Sequence, residues 1–415
     1  MTWWAPSSTG PVEADVTVPG SKSATARALV LSGLADGPGS VQGGLRARDT
    51  DLMIAGLRAL GVRIDDSDPV RWIITPVKQF PGEALIDCGL AGTVMRFLPA
   101  VAASGPVRAQ FVGDQAASSR PMEPLLRGLT QMGARVDGAR LPFTVTGPVT
   151  RREAIIDSST SSQFISALLL AGPRFPRGVR VTHDGGPVPS VPHIEMTVAA
   201  LRARGVEVGH EGSTWETAAG PISALDEVIE PDLTTASVFL ASALVTGGRV
   251  TVPGWPATTT QPGVRALEIF TWMGGRVDAS DSAVTVSGTG QLSGIDIDLN
   301  DTSELTPVVA ALACLADGPT VIRGVGHIRG HETDRLAALS TEITALGGDC
   351  QETHDGLVIY PKPLNPGIFH THADHRMAHA GALIGLRVSG IGLDDVGCTS
   401  KTMPDFPQVW EAMVS

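Results

Sequence analysis

The chain has 415 residues, 42% of them hydrophobic and 18% charged, with a net charge of -12 at neutral pH. That length can bury more than one core, the apolar content excludes a disordered chain, and the acidic balance argues against wholesale binding to nucleic acid or an anionic membrane. Four cysteines, at 88, 314, 350 and 398, form no C-x-x-C pair, so neither a zinc site nor a disulfide framework is indicated.

The first residues, MTWWAPSSTGPVEADV, carry no basic or apolar leader, and no run has the length and apolarity of a membrane span. A cytoplasmic protein is expected. A strand-like run from Val12 to Val18 then leads into VPGSKSATARALVLSGLADG, whose small-residue helix pattern opens near Ser23. Lys22, Ser23 and Arg27 stand at this junction. A helix start favours anions, so two cations there are explained by an anion bound among them. GSKS lacks the spacing of a Walker loop, and taken singly the lysine could be no more than a solvated one.

The same pattern, an apolar helix broken by glycine and followed by a β-branched strand, then recurs five times. It appears in TVMRFLPAVAASGPVRAQF, SQFISALLLAGPRFPRGVRV, TASVFLASALVTGGRVTV, LTPVVAALACLADGPTVI and RMAHAGALIGLRVSGIGL. A second pattern interleaves with it, a helix end and glycine before a strand, with glycines at 61, 133, 205, 274 and 347. Two patterns sharing one period of roughly 70 residues define six units, each reading helix, strand, helix, strand, strand. The sixth stops after FPQVWEAMVS, and the N-terminal run PVEADVTVPG is expected to close it. The domains are then 20–228 and 1–19 plus 229–415. Two crossings near Pro19–Lys22 and Glu230–Leu233 would suit closure on a ligand.

The first turns of the repeated helices carry polar groups. The second unit has Gly92, Thr93 and Arg96, the third Ser161, Ser162 and Gln163, the fifth Glu304, and the sixth Asp374, His375 and Arg376. If equivalent helices point one way, their starts gather at one end of each domain. Two such ends facing each other would form an anion-attracting cleft. Loops add Arg120, Ser190, His331, Glu332, Arg335 and Lys401. Each motif alone could be a cap, a turn or a surface ion pair; recurrence at one place in five units favours a site. Arginine forks suit carboxylates and phosphates, so the ligand should carry several anionic groups.

PGSKSATAR, GTVMRF, SSQF, HETDRL, DHRMA and KTMPDFP, taken together from Val16 to Pro407, resemble the 5-enolpyruvylshikimate-3-phosphate (EPSP) synthase family. The resemblance implies an α/β fold of two inverse domains, each of three βαβαββ-type units, with the active site in the cleft between them. It implies transfer of the enolpyruvyl group of phosphoenolpyruvate to the 5-hydroxyl of shikimate 3-phosphate, releasing phosphate on the route to chorismate and the aromatic amino acids. Neither metal, cofactor nor covalent nucleophile is implied. By the same resemblance Lys22, Ser23, Arg27, Ser161, Ser162, Gln163, Ser190, Glu304 and His331 would bind shikimate 3-phosphate. Lys22, Gly92, Arg120, Gln163, Arg335, Arg376 and Lys401 would bind phosphoenolpyruvate. Glu304 would be the base on the hydroxyl, and Glu332 with Lys22 would move the C3 proton.

Four positions depart from the commoner family pattern: His331 for Lys, Glu304 for Asp, Leu90 for Asn and His379 for Met. A histidine at 331 would be only partly charged at neutral pH, so substrate affinity is expected to fall between about pH 6 and 8 more steeply than with lysine. Glyphosate inhibits many members of the family; Leu90 and Phe97 bear on whether that carries over. The rival readings are a UDP-N-acetylglucosamine enolpyruvyl transferase, whose usual SKNA and loop cysteine are missing here, and a non-catalytic anion-binding protein, which would not need Glu304 and Glu332. The acidic surface favours a monomer.

Overall fold

A computed structural model of the chain describes residues 2–415. The chain divides into two compact units: Gly20–Ile229, and the segment ending at Pro19 together with Glu230–Ser415. Among the described residues there are twelve α-helices: α1 (Lys22–Leu34), α2 (Arg48–Ala59), α3 (Gly92–Ala102), α4 (Glu123–Gln131), α5 (Gln163–Ala171), α6 (Pro192–Arg202), α7 (Leu233–Thr246), α8 (Ala266–Trp272), α9 (Thr306–Cys314), α10 (Arg335–Ala345), α11 (His375–Gly385) and α12 (Phe406–Val414).

The unit Gly20–Ile229 holds three four-stranded sheets of one design. In the sheet Glu83–Asp87, Arg108–Val112, Phe143–Thr146, Arg135–Asp137, the first two strands are parallel and the rest antiparallel. Glu153–Ile156, Val179–His183, Thr214–Thr217 and Val208–Glu211 repeat it. The third sheet takes its leading strand, Asp226–Val228, from the far end of the unit and pairs it with Gly39–Gln42. Strand alternation explains the facing: in Arg71–Thr75, Trp72 and Ile74 are buried between exposed Arg71 and Ile73. Helices α1, α3 and α5 pack on one another and are buried nearly all round, which their apolar and small residues permit. The five glycines at 61, 133, 205, 274 and 347 all have positive φ, the left-handed turn that ends a helix before a strand.

The other unit repeats the design with α7, α9 and α11 as its inner helices. Its first sheet places Glu13–Asp15 parallel to Arg249–Pro253, so the run PVEADVTVPG leads the fourth repeat, not the sixth as expected. Trp3–Trp4 serves the sixth instead, antiparallel to Ile391–Leu393 in a three-stranded sheet with Gly367–Phe369. The physical reason is strand direction: Glu13–Asp15 supplies the missing parallel leading strand, and an antiparallel partner was still open at Ile391–Leu393.

Three leading strands end in the same device. Asp87 Oδ1 accepts from Gly89 N, Asp157 Oδ1 from Ser159 N and Asp298 Oδ1 from Asn300 N, each at 2.8 Å. Such an Asx turn folds the chain from strand to helix start using only its own residues. In the sixth repeat the position after Phe369 is His370, and the turn is built otherwise.

On α11, His379 is 1% exposed and lies 4.7 Å from the Phe406 ring. Burial, reinforced by Arg376 and Arg335, pushes its pKa down to about 3. The folded protein therefore keeps this ring neutral where an unfolded histidine, with pKa near 6.5, takes up a proton. Stability is intact above about pH 6.5 and drains as pH falls toward 3, by roughly 1.4 kcal/mol per pH unit. Nε2 also has no hydrogen-bond partner among the described residues. His379→Met is expected to raise the urea midpoint more at pH 5 than at pH 7; an equal shift at both would contradict the titration argument.

Candidate active site

In the unit Gly20–Ile229, Ser21 caps α1 by accepting from Ala24 N at 3.3 Å, leaving Lys22 and Ser23 on the first turn. Lys22 Nζ stands 3.8 Å from Asp49. Arg27 is buried, and its pKa falls to about 10 by desolvation, so it stays charged at neutral pH. Its Nε donates to Thr197 Oγ1 at 2.8 Å, Nη1 to Ser23 O at 2.9 Å and Nη2 to His193 O at 2.7 Å, and the guanidinium lies 5.5 Å from the Phe97 ring. Arg27 thus ties α1 to α6, with three of its five donors committed to protein.

Helix α3 starts after Ala91 with no side-chain cap. Arg120 Nη1 donates to Leu90 O at 3.0 Å, and a Cβ on Gly92 would sit 3.0 Å from Arg120 Nη2. Glycine leaves room here for the guanidinium to lie close to the helix start. Two positive features side by side call for an anion. Arg96 Nη1 donates to Gln163 Oε1 at 2.8 Å, joining the starts of α3 and α5. Ser161 Oγ accepts from Gln163 N at 3.3 Å, whereas Ser162 makes no side-chain capping bond to α5. Ser190 is buried with φ of 51°, a left-handed conformation that costs a non-glycine residue about 1–2 kcal/mol. Residues held in such strain cluster at functional sites.

The other unit gathers the remaining candidates more tightly. Arg335, the first residue of α10, is 1% exposed. Its Nε donates to Asp374 Oδ2 at 2.8 Å and Nη2 to Asp374 Oδ1 at 3.2 Å, a bidentate pair with a carboxylate that is fully buried. Nη2 also reaches Glu332 Oε2 at 2.8 Å, while Lys401 holds Glu332 Oε1. These carboxylates raise the Arg335 pKa against the opposing effect of burial. Asp374 further accepts from Arg376 N at 2.9 Å, capping α11. Burial and the nearby Arg335 charge lower the Arg376 pKa, with Glu304, Asp232 and Asp374 opposing. Glu304 therefore shares one electrostatic neighbourhood with Arg335, Arg376 and His331. It lies in the turn Asn300–Leu305 before α9.

The pH expectation for His331 is corrected here. Burial, then Arg335, lowers its pKa well below 6.5, with Glu332 and Glu304 only partly opposing. Arg335 Nη1 is 3.1 Å from His331 Nδ1, and a guanidinium can only donate, so Nδ1 carries a lone pair and Nε2 the proton. A neutral ring loses no charge between pH 6 and 8. His331→Lys is expected to leave the pH profile of KM in that window unchanged; a flattened profile would restore the titration reading.

Several residues of the site were not marked in the sequence. His327 Nε2 lies 2.8 Å from Ser303 Oγ, beside Glu304. Glu342, His372 and Asp394 fasten the segment before Asp374. Their partners are distant in the chain, and the one signal that could have found them is the missing Asp at position 370.

Two units of triplicated βαβαββ repeats, with arginines and lysines at their helix starts, define the enolpyruvyl transferase fold. Solved structures share the architecture: EPSP synthase from Acinetobacter baumannii superimposes with a TM-score of 0.83 at 24% identity, over 99% of this chain and 98% of that one. The enolpyruvyl transferase NikO from Streptomyces tendae gives 0.76 at 19% identity, over 98% and 96%. The family EPSP synthase (3-phosphoshikimate 1-carboxyvinyltransferase) matches residues 6–410. A 3-phosphoshikimate 1-carboxyvinyltransferase of Mycobacterium ulcerans (strain Agy99) is 51% identical, over 99% of this chain and 97% of that protein. The chain belongs to the EPSP synthase family.

Proposed function

We propose that the protein transfers the 1-carboxyvinyl group of phosphoenolpyruvate to the 5-hydroxyl of shikimate 3-phosphate, giving 5-enolpyruvylshikimate 3-phosphate and phosphate. The observation that carries the assignment of roles is the Arg335 network, where Glu332 is shared between Arg335 and Lys401. In our reading Arg335, Arg376, Lys401, Arg120, Lys22, Gln163 and the Gly92 helix start take the carboxylate and phosphate of phosphoenolpyruvate. Ser161, Ser162, Gln163, Ser190, Lys22, Ser23 and Arg27 take the phosphate and ring of shikimate 3-phosphate, with Glu304 and neutral His331 on its hydroxyls.

Glu304 accepts the hydroxyl proton as oxygen attacks C2, while Glu332 with Lys22 delivers a proton to C3. The C2–O bond to phosphate then breaks, phosphate leaving with the electron pair, while Glu332 with Lys22 takes a proton back from C3 and the double bond is restored. Without substrate, Arg335 and Lys401 both bond to the Glu332 carboxyl group. The anionic groups of phosphoenolpyruvate compete for the same cations, and a carboxylate relieved of one of them binds a proton more readily.

The test is phosphate release by the purified chain given phosphoenolpyruvate with either shikimate 3-phosphate or UDP-N-acetylglucosamine. Release with the first alone supports the reading; release with the second alone moves the chain to the rival transferase. Release with neither, from folded protein, leaves a binding protein. A monomeric cytoplasmic enzyme is part of the proposal. It is supported by the net charge of -12 and by the absence, among the described residues, of a helix long and apolar enough to cross a membrane. Sedimentation velocity tests the monomer.

A further inference from the structure

The segment His370–Ala373 joins the strand Gly367–Phe369 to Asp374, the residue that both binds Arg335 and caps α11. It lacks the Asx turn that Asp87, Asp157 and Asp298 make after three other leading strands, and carries two consecutive left-handed residues, His372 with φ of 52° and Ala373 with φ of 55°. Neither is glycine, so the conformation has to be imposed from outside.

Two carboxylates from elsewhere impose it. Asp394, which follows the strand paired with Gly367–Phe369, accepts from Thr371 N at 2.8 Å, Thr371 Oγ1 at 3.1 Å and His370 Nδ1 at 2.9 Å. Glu342, only 2% exposed, accepts from His370 N at 2.9 Å and is 2.8 Å from His372 Nε2. Glu342 lies on α10 seven residues after Arg335, hence two turns along the same face. The helix is therefore fastened to this segment at both ends of that face, by Arg335 to Asp374 and by Glu342 to His372.

We propose that His372, acting through Glu342, is a positioning residue: the second fastening fixes the rotation of α10, and so the direction in which the Arg335 guanidinium is presented. The inference rests on the reading of Arg335 and Arg376 as groups that hold phosphoenolpyruvate. His372 touches no reacting atom in that reading. Its loss changes the angle of a binding group, so the effect belongs to one substrate.

Steady-state kinetics on the full chain test this. His372→Ala raises KM for phosphoenolpyruvate about tenfold, on the scale of other positioning contacts, while KM for shikimate 3-phosphate stays within about twofold. His372→Gln, whose amide can still donate to Glu342, recovers most of the loss. A substrate-free readout separates this from the function assigned: the Arg335 Nε–H resonance shifts in His372→Ala and returns in His372→Gln. Equal rises in both KM values, no rescue by glutamine, or an unmoved Arg335 resonance each overturn the proposal. Arg376→Gln serves as the control on the site. If it leaves KM for phosphoenolpyruvate unchanged, the anion-site reading has failed, and the resonance alone decides the positioning role.

Discussion

Arg335→Ala is expected to lower kcat/KM by about a thousandfold and to destabilise the fold as well, by about 3–5 kcal/mol. The two losses have one origin. Asp374 is fully buried, and its carboxylate is paired by the two arms of Arg335. Removing the guanidinium strands that charge where water cannot reach it and, in the reading proposed above, takes a cation away from the substrate anions. A melting temperature lower by on the order of 10 °C accompanies the loss of activity. Arg335→Lys separates the two terms. An ammonium keeps the charge but not the planar fork, so much of the stability returns while kcat/KM remains low. Full activity in the lysine variant would mean that charge alone, without geometry, serves the site.

Glu304→Gln is expected to lower kcat by about 10²–10⁴-fold, the usual worth of a positioned general base. The amide matches the carboxylate in shape, so binding of shikimate 3-phosphate and the melting temperature should move little. Glu304→Asp should keep part of the rate, because the shorter carboxylate can still accept a proton. A kcat near wild type for glutamine, with a raised KM, would reduce Glu304 to a binding role. The surroundings justify testing it first. Arg335, Arg376, His327 and His331 all lie within its electrostatic reach, and the two histidines are both held toward the neutral form chiefly by burial. The carboxylate thus faces permanent guanidinium charges and two imidazoles held toward the neutral form.

Much of the fold was readable because its repeats are written in local chemistry. The left-handed glycines at 61, 133, 205, 274 and 347 end helices by a steric rule that needs no tertiary context. The polar helix starts were equally plain: Lys22, Gly92, Gln163 and His375 each fall on the first residue of a helix. The N-terminal pairing was not readable. Trp3–Trp4 is two residues long, below any periodic signal, and its partner lies nearly 400 residues away at Ile391–Leu393. The state of His331 escaped for a related reason. Its charge is set first by burial, which the motif HETDRL does not show: the letters are the same whether the ring is wet or dry, and they give Arg335 without its distance from the ring. Glu342 and His372 belong to this class too, since a contact across 30 residues leaves no trace in either local pattern.

The pairing of the first residues has a consequence for biosynthesis on the ribosome. The unit Gly20–Ile229 contains every strand of its three sheets, including Asp226–Val228, and can close as soon as that strand has emerged. The residues made before it cannot yet settle. Glu13–Asp15 waits for Arg249–Pro253, and Trp3–Trp4 waits for Ile391–Leu393, a delay of about 20 seconds or more at ordinary elongation rates. From the emergence of Asp226–Val228 until Ile391–Leu393 is made, the tryptophan pair trails unpaired from an otherwise finished half, joined by the Glu13–Asp15 edge until Arg249–Pro253 appears, and another nascent chain could capture them. Trp3–Trp4, made before either unit is complete, is among the last parts to fold.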